Sequence, residues 1–415
     1  MLFIREIKKF FFPFYRDTNT KKVLSLLNKS NINETKFVGG CVRNYLTNNK
    51  INDIDVATTL TPSEVIERLK NSNIEIKKTG FEHGTLTLIF KDKKFEITTL
   101  REDVSTDGRH AKVQFTKDWA KDSNRRDFTI NAIYLDKNGK VYDPHLGLND
   151  LKNNKVKFIG SPDKRIKEDF LRILRFLRFS VKYRSFEINQ ETEKAIKLNL
   201  DGIVSLTKER VYSELEKIIN LQNLYDIFKN NFLLTIFKLI FPEFTHLDRI
   251  KKLKKMSKYF KSNIDSDLKI GLLMLDETNN YQYFFHKYNI SNKTKDKLNL
   301  YSKLLKQIKS DDDFFTKNLK KNLFLIGKDK VKKIFILYTL IFNKKINMKI
   351  DKILLQIEKT KVPEFKITGN DIINHGIKNG PKIGEILKKI ETRWIENDFK
   401  ITSSEIKILI NSNAN

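Results

Sequence analysis

The chain has 415 residues, with 80 Lys and Arg against 51 Asp and Glu, a formal net charge of +29. That length exceeds one ordinary core, so two to four domains are expected, and 31 phenylalanines supply apolar volume for them. A single cysteine, Cys41, excludes an intrachain disulfide and a cysteine-based zinc site, and it suits a reducing compartment.

Residues 1 to about 30 read as a helical leader. The opening stretch is broken by charges and Pro13, which does not fit a signal peptide, and no run of about 18 apolar residues suggests a membrane span. From 36 to about 158 the hydrophobic period is mostly two, in KFVGG, DIDVAT, GTLTLIF, KFEITTL, AIYL and KVKFI. A helix interrupts at PSEVIERLKNS, where Thr61 can cap and Pro62 takes the first turn. After Pro162 helical periodicity runs to the end. The fold class expected is α+β: a small mixed-sheet head, then an elongated all-helical neck, body and tail. The charge excess favours a polyanionic partner, since cations release the counterions condensed on phosphate. A Lys-, Asn- and Ile-rich composition from an AT-rich genome accounts for it equally.

The first site is FVGGCVRNYLTNNKINDIDVAT. Gly39-Gly40 makes a turn free of side chains, and a helix carrying Arg43 follows. Backbone N–H groups at such a turn can cradle a triphosphate. Asp53 and Asp55 start a strand, and residues i and i+2 share a face. Two converging carboxylates need a cation, and Mg2+ meets that need while leaving room for substrate phosphates. Glu96, mid-strand in FEITT, is either a third acidic group on a neighbouring strand or a solvent-facing residue.

This segment resembles the signature of the DNA-polymerase-β-like nucleotidyltransferases. In fuller pattern it is similar to their bacterial class II branch, the CCA-adding enzymes and bacterial poly(A) polymerases. The family's metal residues map to Asp53 and Asp55. Asn44 stands where the family has Asp, which changes local hydrogen bonding. The stretch KTGFEHGTLTLIF is similar to the CCA-adding type and lacks the basic stretch of the poly(A) polymerases.

TTLREDVSTDGRHAKVQF, with a charged middle from Asp103 to His110, reads as a mobile loop. It resembles the family's flexible loop, which complete CCA-adding enzymes need to switch from C to A. The CC-only relatives shorten it, whereas here it is full length, with Arg109 present. RRDFTINAIYLD resembles the family's second motif, which implies that Arg126, Asp127 and Asn131 hold the incoming nucleotide.

KRIKEDFLRILRFLRF reads as one helix, with Ile166, Phe170, Leu174 and Leu177 as its buried stripe. Asp169 and Arg172 are then neighbours, and Glu168 can hold the Arg172 guanidinium. An acceptor beside a donor matches the Watson–Crick edges of cytosine and adenine and opposes those of uracil and guanine. A wrong base would leave buried polar groups unpaired. Glu168, Asp169 and Arg172 match the family's Glu-Asp-x-x-Arg motif, and Arg175 one turn on joins the implied nucleotide-binding set with Gly39, Gly40, Arg43 and Arg109. Arg210 and Glu214 resemble the helix that supports this turn. In the tail, Gly376, Gly380 and Gly384 suit close approach to RNA phosphate or ordinary helix-ending turns.

The resemblance implies addition of C, C and A to the 3′ end of tRNA from CTP and ATP, with Mg2+ as cofactor, in the cytoplasm, with no membrane and no obligate protein partner. The expected layout is a leader (1–30), a nucleotidyltransferase head (31–158), a nucleotide-reading neck (159–220), a helical body (221–345) and a tRNA-binding tail (346–415). The alternatives are an A-adding or poly(A)-adding relative and, in a different class, an inactive RNA-binding protein.

Overall fold

A computed structural model describes residues 13–28, 34–107, 110–254, 256–311, 313–342, 349–377 and 380–412. Its sheet follows from the period-two stretches: β1 (Thr35–Val38), β2 (Ile54–Thr58), β3 (Glu75–Gly80), β4 (Thr85–Phe90), β5 (Lys93–Thr99), and later β8 (Tyr134–Leu135) and β9 (Val141–Tyr142). The order is β3-β4-β5-β2-β1-β8-β9. β2 runs parallel to β5 and every other pair is antiparallel, so the sheet is mixed. Ile54 and Val56 of β2 are buried on one face, which leaves Asp55 on the other.

Helices α1 (Thr18–Leu27), α2 (Gly40–Leu46) and α3 (Pro62–Leu69) are interleaved with the first strands. α3 starts as expected, with Pro62 in its first turn and a capping box between Thr61 and Glu64. β3 escaped the sequence reading because, as an exposed Lys-bearing edge strand, it shows no buried alternation.

Two expectations are corrected here. The supposed loop from Asp103 to His110 is mostly an antiparallel ribbon, β6 (Arg101–Asp107) with β7 (His110–Phe115), carrying a register shift between Asp103 and Ser105. Asp107 pairs with His110, so only two residues connect the strands; these, 108 and Arg109, lie outside the described residues. KVKFI is not a strand. It forms one bridge, Phe128 to Phe158, flanked by two backbone bonds: the Thr129 N–H to the Lys157 carbonyl (3.0 Å) and the Ile159 N–H to the Asp127 carbonyl (3.1 Å).

After α4 (Trp119–Asn124) and α5 (Gly147–Lys152), a further correction concerns the long helix expected from Lys164 onward. It is two helices, α6 (Pro162–Glu168) and α7 (Leu171–Tyr183). Asp169 between them is extended, with φ −159°, and its side chain accepts the Leu171 N–H at 3.1 Å. An aspartate that bonds the backbone locally competes with the helix ladder, which an apolar period does not reveal. Ile166, Leu174 and Leu177 are buried as expected, while Phe170 is only partly so. Then come α8 (Gln190–Leu198), α9 (Lys208–Ile219) and α10 (Asn231–Ile240).

The chain divides into two compact units, one running to Pro242 and including His286–Asn289, the other comprising Glu243–Phe285 and the residues from Ile290 on. Among its described residues the second unit has helices as its regular elements, and it includes a cluster around Ile372, Ile377, Ile386, Ile390 and Ile410. Among the described residues no helix is long and apolar enough to cross a membrane.

Phe170 rests against Gly202, where an added Cβ would lie 2.2 Å from the ring. Gly202→Ala is therefore expected to destabilise the first unit by about 1–3 kcal/mol through overpacking. Thermal melting of the variant, lower by several degrees, checks this.

Candidate active site

Gly39 has φ +68° and ψ −126°, and a Cβ on Gly39 or Gly40 would come within 3.4 or 3.3 Å of the Asp55 carboxylate. The two glycines thus let the start of α2 close onto β2, and the Gly40 N–H donates to Asp55 Oδ2 at 3.2 Å. The parallel register sets Glu96 of β5 directly beside Asp55. Burial raises the pKa of Asp55; the Gly40 N–H opposes this, the Glu96 charge adds to it, and Arg126 and Arg43 act against it. Glu96 is 40% exposed and pairs with Lys94 at 2.7 Å, so it both shares the Asp55 face and reaches solvent. Asp53 is exposed, one residue before β2.

Among the described residues no three or more His, Cys, Asp or Glu close around one point. The acidic face is an open one. A half-buried carboxylate with a raised pKa beside a second carboxylate suits a hard divalent cation, which keeps part of its coordination for other oxygen ligands.

The segment Arg125–Asn131 lies beside this face. Asp122 of α4, which the sequence reading missed, is its anchor. It accepts the Arg125 Nε at 2.8 Å, the Arg126 Nε and Nη2 at 3.1 and 3.0 Å, and the Tyr134 hydroxyl at 2.8 Å. Burial works to raise its pKa, but Arg126 and Arg125 bring it down to about 2. Asp127 is also buried. It accepts the Phe128 N–H, the Asn131 Nδ2 at 2.8 Å and the Arg175 Nε at 2.6 Å, and despite burial Arg175 holds it down to about 2. The Arg43 guanidinium donates to Asn131 Oδ1 and, at 2.6 Å, to the Tyr183 hydroxyl. Arg43, Asn131, Asp127 and Arg175 therefore form one chain of contacts from α2 to α7.

At the break between α6 and α7, Glu168 Oε2 accepts from both Arg172 and Arg165. The first contact was expected; Arg165 was missed, although it lies three residues before Glu168. Arg165 also donates to the Arg125 and Arg126 carbonyls, and Arg172 Nη1 donates to the Arg165 carbonyl at 2.7 Å. Asp169 is not held by Arg172. It pairs with Arg210 of α9 at 2.8 Å, while Glu214 of the same helix pairs with Arg178 at 2.7 Å. The partnerships of Tyr134 and Tyr183 had no local signal, because their side chains meet the site only through the fold.

A family model described as the poly A polymerase head domain matches residues 35–157, and one described as a probable RNA and SrmB-binding site of polymerase A matches residues 185–247. The CCA-adding enzyme of Staphylococcus haemolyticus is 34% identical over 394 residues, 92% of this chain and 94% of that protein. The chain belongs to the CCA-adding enzyme family. Another family member, CCA tRNA nucleotidyltransferase 1, mitochondrial, of Homo sapiens, is 33% identical over 399 residues, 93% of this chain and 88% of that protein. The fold is shared with the crystal structure of the Bacillus stearothermophilus CCA-adding enzyme in complex with CTP. The TM-score is 0.73 at 23% identity, covering 95% of this chain and 97% of that one. CCA-adding enzymes and their relatives use divalent metal ions, in keeping with the open acidic face.

The two depressed carboxylates make a prediction about acid stability. An unfolded Asp titrates near 3.9, so the stability these groups contribute is present above about pH 4 and is lost as pH falls through about 2. Asp127→Asn should lower stability at neutral pH by about 1–3 kcal/mol, because Arg175 and Asn131 lose a buried partner. It should also flatten the acid limb. Denaturant titrations of both proteins between pH 7 and pH 2 check this.

Proposed function

We propose that this chain completes the 3′ end of tRNA, adding C, C and A in turn from CTP and ATP without a nucleic-acid template. The observation that carries the reading is the chain of contacts from Arg43 to Arg175. It joins an acidic sheet face, suited to phosphoryl transfer, to the helix that carries Arg172. The CTP held by the Bacillus stearothermophilus enzyme supports the choice of nucleotide.

In this reading Asp53 and Asp55 hold the metal, Mg2+, with Glu96 as the third acidic group of the face. A divalent ion there supplies Lewis-acid polarisation and lowers the pKa of the RNA 3′ hydroxyl. The Gly39-Gly40 turn, Arg43 and Arg126 line the triphosphate side, and Asp127 and Asn131 position the nucleotide with Arg175. The RNA 3′ oxygen forms a bond to the α-phosphorus, the bond from that phosphorus to the β-phosphate oxygen breaks, and pyrophosphate leaves with loss of the hydroxyl proton. Asp169 and Arg172 read the base edge. Arg210 steadies Asp169 and Glu168 steadies Arg172, while the Nε–H of Arg172 makes no bond among the described residues. Arg109, outside the described residues, belongs to the loop that governs the change from C to A. The basic helical body and the tail from 346 grip tRNA by shape and phosphate. The lone Cys41, which is buried, supports a cytoplasmic setting.

Two experiments test the reading. Asp53→Ala and Asp55→Ala should lose nearly all incorporation of labelled CTP into tRNA lacking its end, while gel-shift binding of that tRNA persists. Near-normal turnover in either variant would refute the metal assignment. Asp169→Ala and Arg172→Ala should cut the kcat/KM ratio for CTP over UTP by roughly ten- to a hundredfold, the effect of losing one buried hydrogen-bond partner. Arg210→Ala and Glu168→Ala should show milder losses, and unchanged ratios in all four would reduce the cluster to ion pairs.

A further inference from the structure

Phe179 of α7, itself buried, has three guanidinium groups around its ring. The Arg178 carbon lies 4.2 Å from the centroid, that of Arg43 4.7 Å and that of Arg175 5.8 Å. A fourth cation, Lys182, lies one turn beyond Arg178, with its Nζ 3.4 Å from Asn44 Oδ1. Two of the four have carboxylates: Arg175 pairs with Asp127, and Arg178 with Glu214, which Lys217 shares at 2.8 Å. The hydrogen bonds of the other two go to neutral groups, Asn131 and Tyr183 for Arg43 and Asn44 for Lys182. Burial, then the charges of Arg43 and Arg178, push the Lys182 amine down to about 8.

Like charges gathered in a half-buried place are unfavourable unless an anion joins them. Arg43 is also among the charges acting on Asp55, so this cluster borders the acidic face. Lys182 is ten residues past Arg172 on the same helix, about 15 Å along its axis, which removes it from base reading.

We propose that Lys182 and Arg43, beside the neutral amide of Asn44, form an anion subsite that takes a non-bridging phosphoryl oxygen of one of the two substrates. The inference rests on the nucleotidyltransferase reading above. The phosphate belongs either to the triphosphate of the incoming nucleotide or to a phosphodiester near the RNA 3′ end; both present the same oxygen chemistry. A neutral residue at 44 is part of the subsite, because a carboxylate there would pair with Lys182 and occupy the place of the anion.

The test measures equilibrium binding of CTP, inorganic tripolyphosphate and a tRNA lacking its CCA end to the full chain. Lys182→Met should weaken one class of ligand roughly tenfold or more, as expected for a charged hydrogen bond, and Lys182→Arg should restore it. Weakening of CTP and tripolyphosphate together identifies the triphosphate, and weakening of tRNA alone identifies the phosphodiester. Asn44→Asp, which keeps the lysine and sits on a partly exposed position, should reproduce the same loss with an unchanged melting temperature. The CTP over UTP ratio should stay at the wild-type value in all three variants. Wild-type affinities for all three ligands in Asn44→Asp would overturn the proposal, whatever Lys182→Met does. So would a changed CTP over UTP ratio. Binding needs no turnover, so absence of nucleotide addition by the wild-type protein would count against the enzyme reading and leave the subsite to be judged separately.

Discussion

The buried carboxylate of Asp127 is what keeps the two halves of the candidate site in register. One of its oxygens takes Asn131, which in turn takes Arg43 from the helix after the glycine turn; the other takes Arg175 from the helix that carries Arg172. The bonds of Asn131 to Asp127 and Arg43 lie away from water, where a hydrogen bond is electrostatically stronger and an unpaired member is expensive. The Lys155–Ile159 segment adds a backbone brace on either side of the same aspartate, through the Asp127 carbonyl and the Thr129 N–H. The distance between the acidic face and the turn at Asp169 is therefore set by short, directional contacts rather than by loose packing.

The sequence reading succeeded where a local period carries the information. Asp55 takes the face opposite Ile54 and Val56, as the pleat requires, whereas Asp53 stands one residue before the strand. Glu168 and Arg172 are four apart, and their contact survives the helix break because the last residue of one helix still meets the first turn of the next. It failed where the partner is distant. Asp169 looked like a neighbour of Arg172 but turns to Arg210, and nothing within ten residues of Asp169 announces that. Asp122 was overlooked although it stands four residues before Arg126, since its importance comes from burial and from Tyr134, which arrives on a separate strand. The β6–β7 ribbon was hidden because Asp, Ser and Thr in sequence read as a turn, whereas cross-strand pairing absorbed them.

The arginines near the site divide into two kinds. Arg126 is held by the Asp122 carboxylate, and Arg165 by Glu168 and by the Arg125 and Arg126 carbonyls, so much of their charge is answered within the protein. Arg43 is buried, yet its hydrogen bonds go to an amide and a phenol and its flat face lies on Phe179. An aromatic face steadies a guanidinium without cancelling its charge. Both kinds read as an arginine in a motif; only the structure separates an arginine answered by a carboxylate from one that donates to neutral groups.

Among the described residues the β6–β7 ribbon forms a two-stranded sheet of its own, separate from the seven-stranded one. An antiparallel hairpin lengthens or shortens by whole rungs, two residues at a time, without shifting the register of anything outside it. Its root is fixed, since the Thr116 N–H bonds the Leu100 carbonyl and the Leu100 N–H bonds the Thr58 carbonyl at the end of β2. The reach of this arm is thus a dimension that insertion and deletion can tune freely, while the strand that carries Asp55 stays where it is.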